Sequence, residues 1–192
     1  ISSHYTLENN PLKYLANWDG ADYIHIAKSG YTDKFFTGFF PFYPILIKLL
    51  HLLIPSYIIS GLIISWTALW GAIYFYCKII KLYYKRLNIN IRNNLDLVKA
   101  SLVFVLFPSG IYLICAYTES LYAFFALATI YFALSKRLYL TSIFAFLSTI
   151  THITGFFILP LIILMLIEEK VSYFKSLLVG AIGSLGVISY SL

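Results

Sequence analysis

The chain has 192 residues, 60% hydrophobic and 11% charged. A soluble domain carries about 25% charged residues, so this composition excludes an ordinary soluble globule and predicts an all-α, polytopic membrane protein. The net charge of +6 does not predict nucleic-acid binding, because the basic residues cluster between hydrophobic spans, as they do in cytoplasmic loops.

Residues 1–38 are mixed and polar, too broken to cross a membrane. FFPFYPILIKLLHLLIP follows, and its prolines leave Ile45 to Ile54 as a short helix. Such a helix covers roughly 15 Å, half of a bilayer core, so it is expected to lie at the interface or dip into it. Tyr57 to Ile80 predicts a first full span. The loop after it holds Lys81, Lys85, Arg86 and Arg92, with Lys78 and Lys99 on its flanks, and is expected to be cytoplasmic. A second span is expected over Leu95 to Cys115. A third runs over Leu121 to Leu134 and returns to the cytoplasmic side at Lys136 and Arg137. Residues 1–55 and the turn AYTES then share the extracytoplasmic side.

Residues 139–167 read either as one long span or as two short ones broken at THITG, Thr151 to Gly155. Two spans put THITG on the side of AYTES and Glu168 to Lys170 in the cytoplasm. One span buries His152 in mid-membrane. The two-span reading is favoured. Gly180, Gly183 and Gly186 recur at every third position in the last apolar run. Close packing of small residues accounts for them better than a phosphate loop, which would need a strand before it.

Cys77 and Cys115 are too few for a disulfide framework. The chain begins at Ile1 in a polar stretch and stops at Leu192 inside an apolar run. It is read as part of a single transmembrane domain, with a span expected before Ile1 and more after Leu192. Residues 1–55 supply the extracytoplasmic loop with its interfacial helices, and residues 56–192 the transmembrane helices.

Ionisable side chains close to a membrane are costly and become functional candidates. Asp19, Asp22, Asp33 and Glu119 fall on one side in this topology. Asp19 sits between Trp18 and Gly20, where Asp-Gly can simply mark a turn. Trp18, Tyr23 and Tyr31 add aromatic rings beside the carboxylates. That combination suits a sugar, since rings stack on C–H faces and acids accept hydroxyl protons. Asp22 and His25 share a helical face but form only a faint metal pair without a third ligand. Glu119, in AYTESLY, reads equally as a helix-start acid or as a working group. No Gly-x-Ser-x-Gly, His-Glu-x-x-His or Walker pattern occurs.

WDGADYIHIAKSGY followed by FFPFYPILIKLL resembles the PIG-V family, mannosyltransferases of GPI-anchor assembly with prokaryotic relatives. Trp18, Asp19, Ile26, Ala27, Gly30, Tyr31, Phe39, Phe40, Pro41, Tyr43 and Pro44 carry the match. FPSGIYLICAYTESLYAFFAL is similar to a second family region through Pro108, Ser109, Tyr117, Glu119, Ser120 and Leu121. Asp22 stands where the family commonly has a histidine or similar residue. His152, in THITG, stands where it has arginine, and histidine lacks arginine's permanent charge and bidentate fork.

The resemblance implies a GT-C glycosyltransferase with its site on the lumenal or extracytoplasmic face. The donor would be a polyprenyl- or dolichyl-phosphate sugar, with mannose expected, and the acceptor a lipid-linked or other glycan. Transfer would proceed with inversion. No cofactor or metal is expected, and a membrane partner subunit is compatible with the reading. The expected catalytic residues are Asp19 as base and Glu119. The expected substrate-binding residues are Trp18, Asp22, Tyr23, His25, Tyr31, Tyr43, Tyr117, Ser120 and His152. The FFPFYP helix would shape the lipid side of the site. The protein would sit in the endoplasmic reticulum membrane of a eukaryote or the plasma membrane of a prokaryote. A transporter of lipid-linked sugars and a non-catalytic scaffold subunit are the rival readings.

Overall fold

A computed structural model describes residues 11–89 and 94–191, and every regular element among them is helical. Arg92 of the basic loop lies outside the described residues. A 3-10 turn, Pro11–Ala16, leads into α1, Asp19–Ser29. A second 3-10 turn, Lys34–Gly38, is capped by the Asp33 side chain and precedes α2, Phe42–His51. The short helix expected after the prolines is therefore present, starting at Phe42.

The first full span is α3, Tyr57–Arg86. It runs on past Ile80 because KLYYKR contains no breaker and good helix formers at its lysines, leucine and arginine. The second span, expected from Leu95 to Cys115, is not one continuous helix. It consists of α4, Asn94–Val105, a 3-10 turn Pro108–Gly110, and α5, Ile111–Ile114. The two apolar halves, Asp96–Val105 and Pro108–Ile114, meet at 75°. Pro108 causes the bend: it forces Phe107 out of the helical region, to φ −57° and ψ 145°. Gly110 permits it, because a Cβ there would fall 2.0 Å from the Val105 carbonyl oxygen.

Then come α6, Glu119–Leu134, α7, Leu138–Thr151, α8, Thr154–Phe157, α9, Leu159–Glu168, and α10, Tyr173–Ser191. THITG ends α7 because His152 is extended, at φ −155° and ψ 142°. The chain reverses there. Along α10, Gly180 packs on Ile163, Gly183 on Leu159 and Ala145, and Gly186 on Thr149. Moving along α10 thus ascends α7 and descends α9, so α7 and α9 run in opposite directions, as the two-span reading requires. The glycines serve helix packing: Thr149 Oγ1 donates to the Gly183 carbonyl at 2.6 Å.

By length and composition, Tyr57–Arg86 and Tyr173–Tyr190 can cross a membrane, and the bent pair can form a third span. Helices α6 and α7 and the α8–α9 unit are shorter and apolar. The protein is a multi-pass membrane protein. Arg86 pairs with Glu169, Lys136 lies 3.5 Å from the same carboxylate, and Arg86 Nη2 donates to the Leu134 carbonyl at 3.1 Å. The ends of α3, α6 and α9 therefore meet at one basic end of the bundle. Residues 17–31, Thr118 and His152 gather at the opposite end.

Candidate active site

The site is built on a strained turn. Gly20 N–H donates to the Asn17 carbonyl at 3.1 Å, and the Trp18 carbonyl accepts the first N–H groups of α1, from Ala21 at 2.9 Å and Asp22 at 3.3 Å. Trp18 has φ 51° and ψ −123°, a conformation that favours glycine and costs a bulky residue about 1–3 kcal/mol.

The turn is held from outside by the segment that precedes α6. Ala116 N–H donates to the Leu15 carbonyl at 2.8 Å, and the Tyr117 hydroxyl donates to the Asn17 carbonyl at 2.9 Å. Gly20 nests against this segment: a Cβ would lie 3.0 Å from Tyr117 Cε1 and 3.1 Å from the Ala116 carbonyl oxygen. The outcome is an exposed Trp18 and an exposed Asp19 at the first turn of α1, where the helix dipole favours a carboxylate.

Glu119 opens α6. The neighbouring hydroxyls do not cap that helix: Thr118 Oγ1 lies 3.4 Å from the Tyr23 hydroxyl, and Ser120 Oγ donates to the Leu113 carbonyl. Glu119 Oε2 is buried and has no hydrogen-bond partner among the described residues, a state that costs about 1–3 kcal/mol or more for a charged group. Asp19 and Glu119 repel each other. Both also act on the same two tyrosines. Burial pushes the Tyr23 and Tyr117 hydroxyls well above their usual range, and repulsion from Glu119 and Asp19 adds to the rise in each. Both hydroxyls are protonated at physiological pH, as an unperturbed tyrosine also is.

The bend between α4 and α5 opens an apolar cavity of about 420 Å³. Tyr76, Phe104, Phe107, Tyr112, Leu113 and Glu119 are among the residues that line it.

The other expected site residues divide by depth. Tyr43 is fully buried, and its hydroxyl meets the Gly61 carbonyl at 3.0 Å and Ser65 Oγ at 2.8 Å, fastening α2 to α3. Tyr23 is buried edge-on against Phe39 and Tyr43. Asp22 and Ser120 are buried as well. His25 meets Thr32 Oγ1 at 3.1 Å and stacks on Phe36, while the Tyr31 hydroxyl donates to the Phe39 carbonyl at 2.7 Å. These two organise the loop after α1. His152 is half-buried beside Tyr122, with ring centres 5.5 Å apart, and Tyr122 lies one turn along α6 from Glu119. Trp18, Asp19 and Tyr31 are thus the exposed members of the site, Glu119, His25 and His152 are partly buried, and Tyr23, Tyr43 and Tyr117 are buried.

Three residues of the site had no signal as site residues in the sequence. Asn17 acts through its main-chain carbonyl. Thr118 acts through Tyr23. Ser65 joins Tyr43 to the Tyr117 carbonyl, at 3.1 Å from the latter. Gly61 and Ser65, small residues four apart on an apolar helix, were the one available hint of close approach. Among the described residues, no three His, Cys, Asp or Glu side chains gather as a metal-holding group.

Residues 4–180 match the profile of a family described as Mannosyltransferase (PIG-V). A GPI mannosyltransferase 2 of Drosophila pseudoobscura pseudoobscura is 29% identical over 118 residues, which cover 59% of this chain and 26% of that protein. The match thus spans about a quarter of the curated relative's length. No solved structure matches the chain.

Proposed function

The chain belongs to the mannosyltransferase (PIG-V) family, and from that premise we propose that it carries the acceptor-activating part of a membrane mannosyltransferase using a polyprenyl- or dolichyl-phosphate mannose donor. Asp19 takes the proton of an acceptor hydroxyl. The freed oxygen attacks the anomeric carbon, the bond from that carbon to the phosphate oxygen breaks, and the lipid phosphate leaves. Attack from the face opposite the phosphate inverts the anomeric centre. A carboxylate suits this role because it only has to be ionised and within about 3 Å of the hydroxyl.

The observation that carries the reading is the joining of the Asn17–Gly20 turn to the Ala116–Tyr117 segment, with both carboxylates at that junction. A scaffold subunit would have no need of a buried, unpartnered carboxylate oxygen beside this turn. The unpartnered Glu119 Oε2 supports a role in accepting a sugar or acceptor hydroxyl. The exposed Trp18 ring offers a stacking face for a sugar. The apolar cavity beside Glu119 offers room for the first part of a prenyl chain. Lys28, in the last turn of α1, and Lys34, at the start of the second 3-10 turn, are exposed, and the phosphate charge is not assigned to them. In a eukaryote the protein would work in the endoplasmic reticulum membrane, with this end of the bundle on the lumenal side.

Asp19→Asn tests the proposal in membranes given labelled polyprenyl-phosphate mannose. Loss of a general base costs about 10²–10⁴-fold, so transfer should fall at least about a hundredfold with expression unchanged. Activity within threefold of wild type would remove Asp19 as the base.

A further inference from the structure

We infer that Tyr117 is a positioning residue for Asp19: its hydroxyl fixes the Asn17 carbonyl and so holds the strained Trp18 turn that presents the carboxylate. The inference rests on the assignment of Asp19 as the base. The sequence suggests a different use for Tyr117, as a substrate contact. In the structure Tyr117 is 6% exposed, and its hydroxyl already has a partner within the protein.

The geometry supports a clamp at three points. The Asn17 carbonyl accepts from Gly20 N–H within the turn and from Tyr117 Oη outside it. The Ala116 amide holds the carbonyl of Leu15, two residues earlier. The Tyr117 ring lies against Gly20, and its own orientation is fixed by stacking on Tyr112, with centres 5.7 Å apart and planes within 14°.

Without an external hold, Trp18 at φ 51° would relax toward negative φ, where a side chain avoids its own backbone. That relaxation rotates the Trp18–Asp19 peptide and re-aims Asp19. The carboxylate is one residue from the strained corner and exposed, so its direction depends on the turn.

Tyr117→Phe keeps the ring and removes the donor. Two measurements on the intact membrane protein decide the matter. The first separates kcat from KM in mannosyl transfer, where a small misplacement of a catalytic group can cost as much as about a hundredfold. We expect kcat to fall about tenfold or more with KM within twofold of wild type. The second is hydrogen exchange of the Gly20 and Ala21 amides, which bond within the turn. It should accelerate about tenfold or more. Glycine adopts positive φ without strain, so in a Trp18→Gly background the Tyr117→Phe change should alter exchange by less than about twofold.

A raised KM with unchanged kcat and unchanged exchange would make Tyr117 a substrate contact and overturn the inference. Equal acceleration in the wild-type and Trp18→Gly backgrounds would overturn it too. Should Tyr117→Phe fail to fold alone, the clamp requires that Trp18→Gly restore folding, and no restoration refutes it. If wild type transfers no mannose, the proposed function falls, while the exchange comparison still decides whether the clamp exists.

Discussion

The Tyr117 hydroxyl and the Asn17 carbonyl meet at 2.9 Å across 100 positions of sequence. That bond makes the loop before α1 and the loop before α6 one structural unit. Asp19 and Glu119 are the first residues of the helices that follow these two loops, so both depend on the same contacts. A change that loosens the junction should therefore reach the adjoining core cluster of Ala16, Ile24, Ile58, Leu62 and Ala116 first and the cluster of Phe75, Ala128 and Phe132 last.

Gly20→Ala is a direct probe of the junction. Its Cβ would press on the Tyr117 ring at 3.0 Å and on the Ala116 carbonyl oxygen at 3.1 Å. The ring can shift by a few tenths of an ångström, but the backbone oxygen yields less. The expected cost in stability is about 1 kcal/mol, at the low end for overpacking. Transfer activity should fall by about tenfold or more because the turn moves. Thermal unfolding and kcat measured on the same preparation check the two parts.

Glu119→Gln asks whether the second acid acts chemically. Its Oε2 has no partner among the described residues, so the substitution breaks no hydrogen bond seen at that oxygen and removes the repulsion with Asp19. The melting temperature should hold or rise. Transfer should drop by about 10²-fold if the carboxylate orients a reacting hydroxyl. Full activity with raised stability would show that Glu119 is a structural burden without a role in transfer.

His152 supplies a pH dependence. Burial lowers its pKa below the usual 6.5, and the Thr154 amide donates to Nδ1 at 3.2 Å, which leaves the proton of the neutral ring on Nε2. The unfolded chain then takes up a proton more readily than the folded one. The stabilisation from a neutral His152 is fully present above pH 6.5 and is lost as pH falls from 6.5 toward the lowered folded-state value. Melting curves between about pH 7.5 and about pH 5.5, a window that brackets the ordinary histidine pKa, should show a drop that His152→Gln flattens; parallel curves for the two proteins would contradict it.

Gly186→Ala should damage the bundle without touching the site directly. A Cβ there would stand 2.1 Å from Thr149 Oγ1, 2.7 Å from the Phe146 carbonyl oxygen and 2.8 Å from the Ile150 nitrogen. Backbone on two sides cannot yield, so α7 and α10 must separate. The expected loss is about 1–3 kcal/mol, and more if the helices splay. Thermal unfolding in detergent checks it, with Gly38→Ala, where no described residue comes within 4 Å of the added Cβ, as the comparison.

Much of this was legible in the sequence because the signals are local. The apolar fraction fixed lipid as the solvent. Basic clusters at Arg86, Lys136 and Lys170 marked the chain's returns to one side, and Arg86 and Lys136 meet there around Glu169. The breaker in THITG marked the reversal between α7 and α9. The strings around Trp18–Asp19 and Tyr117–Glu119 carried the family resemblance, which the match over residues 4–180 bears out.

Tertiary structure alone decided the rest. Hydropathy could not tell a straight second span from one bent by 75° at Pro108, because the two halves together are apolar enough for one span and proline is tolerated in membrane helices. Nor could it tell that Tyr43 and Tyr117 are buried with their hydroxyls already bonded, while Trp18 and Asp19 stand exposed on a positive-φ turn. Depth and aim depend on which segments pack together, and that is settled by contacts between residues far apart in the chain. Sequence by itself determined the solvent, the order of the helices and which carboxylates to suspect. Packing determined that the segments carrying two of those carboxylates are joined, and that a tyrosine hydroxyl from one bonds the turn that bears the other.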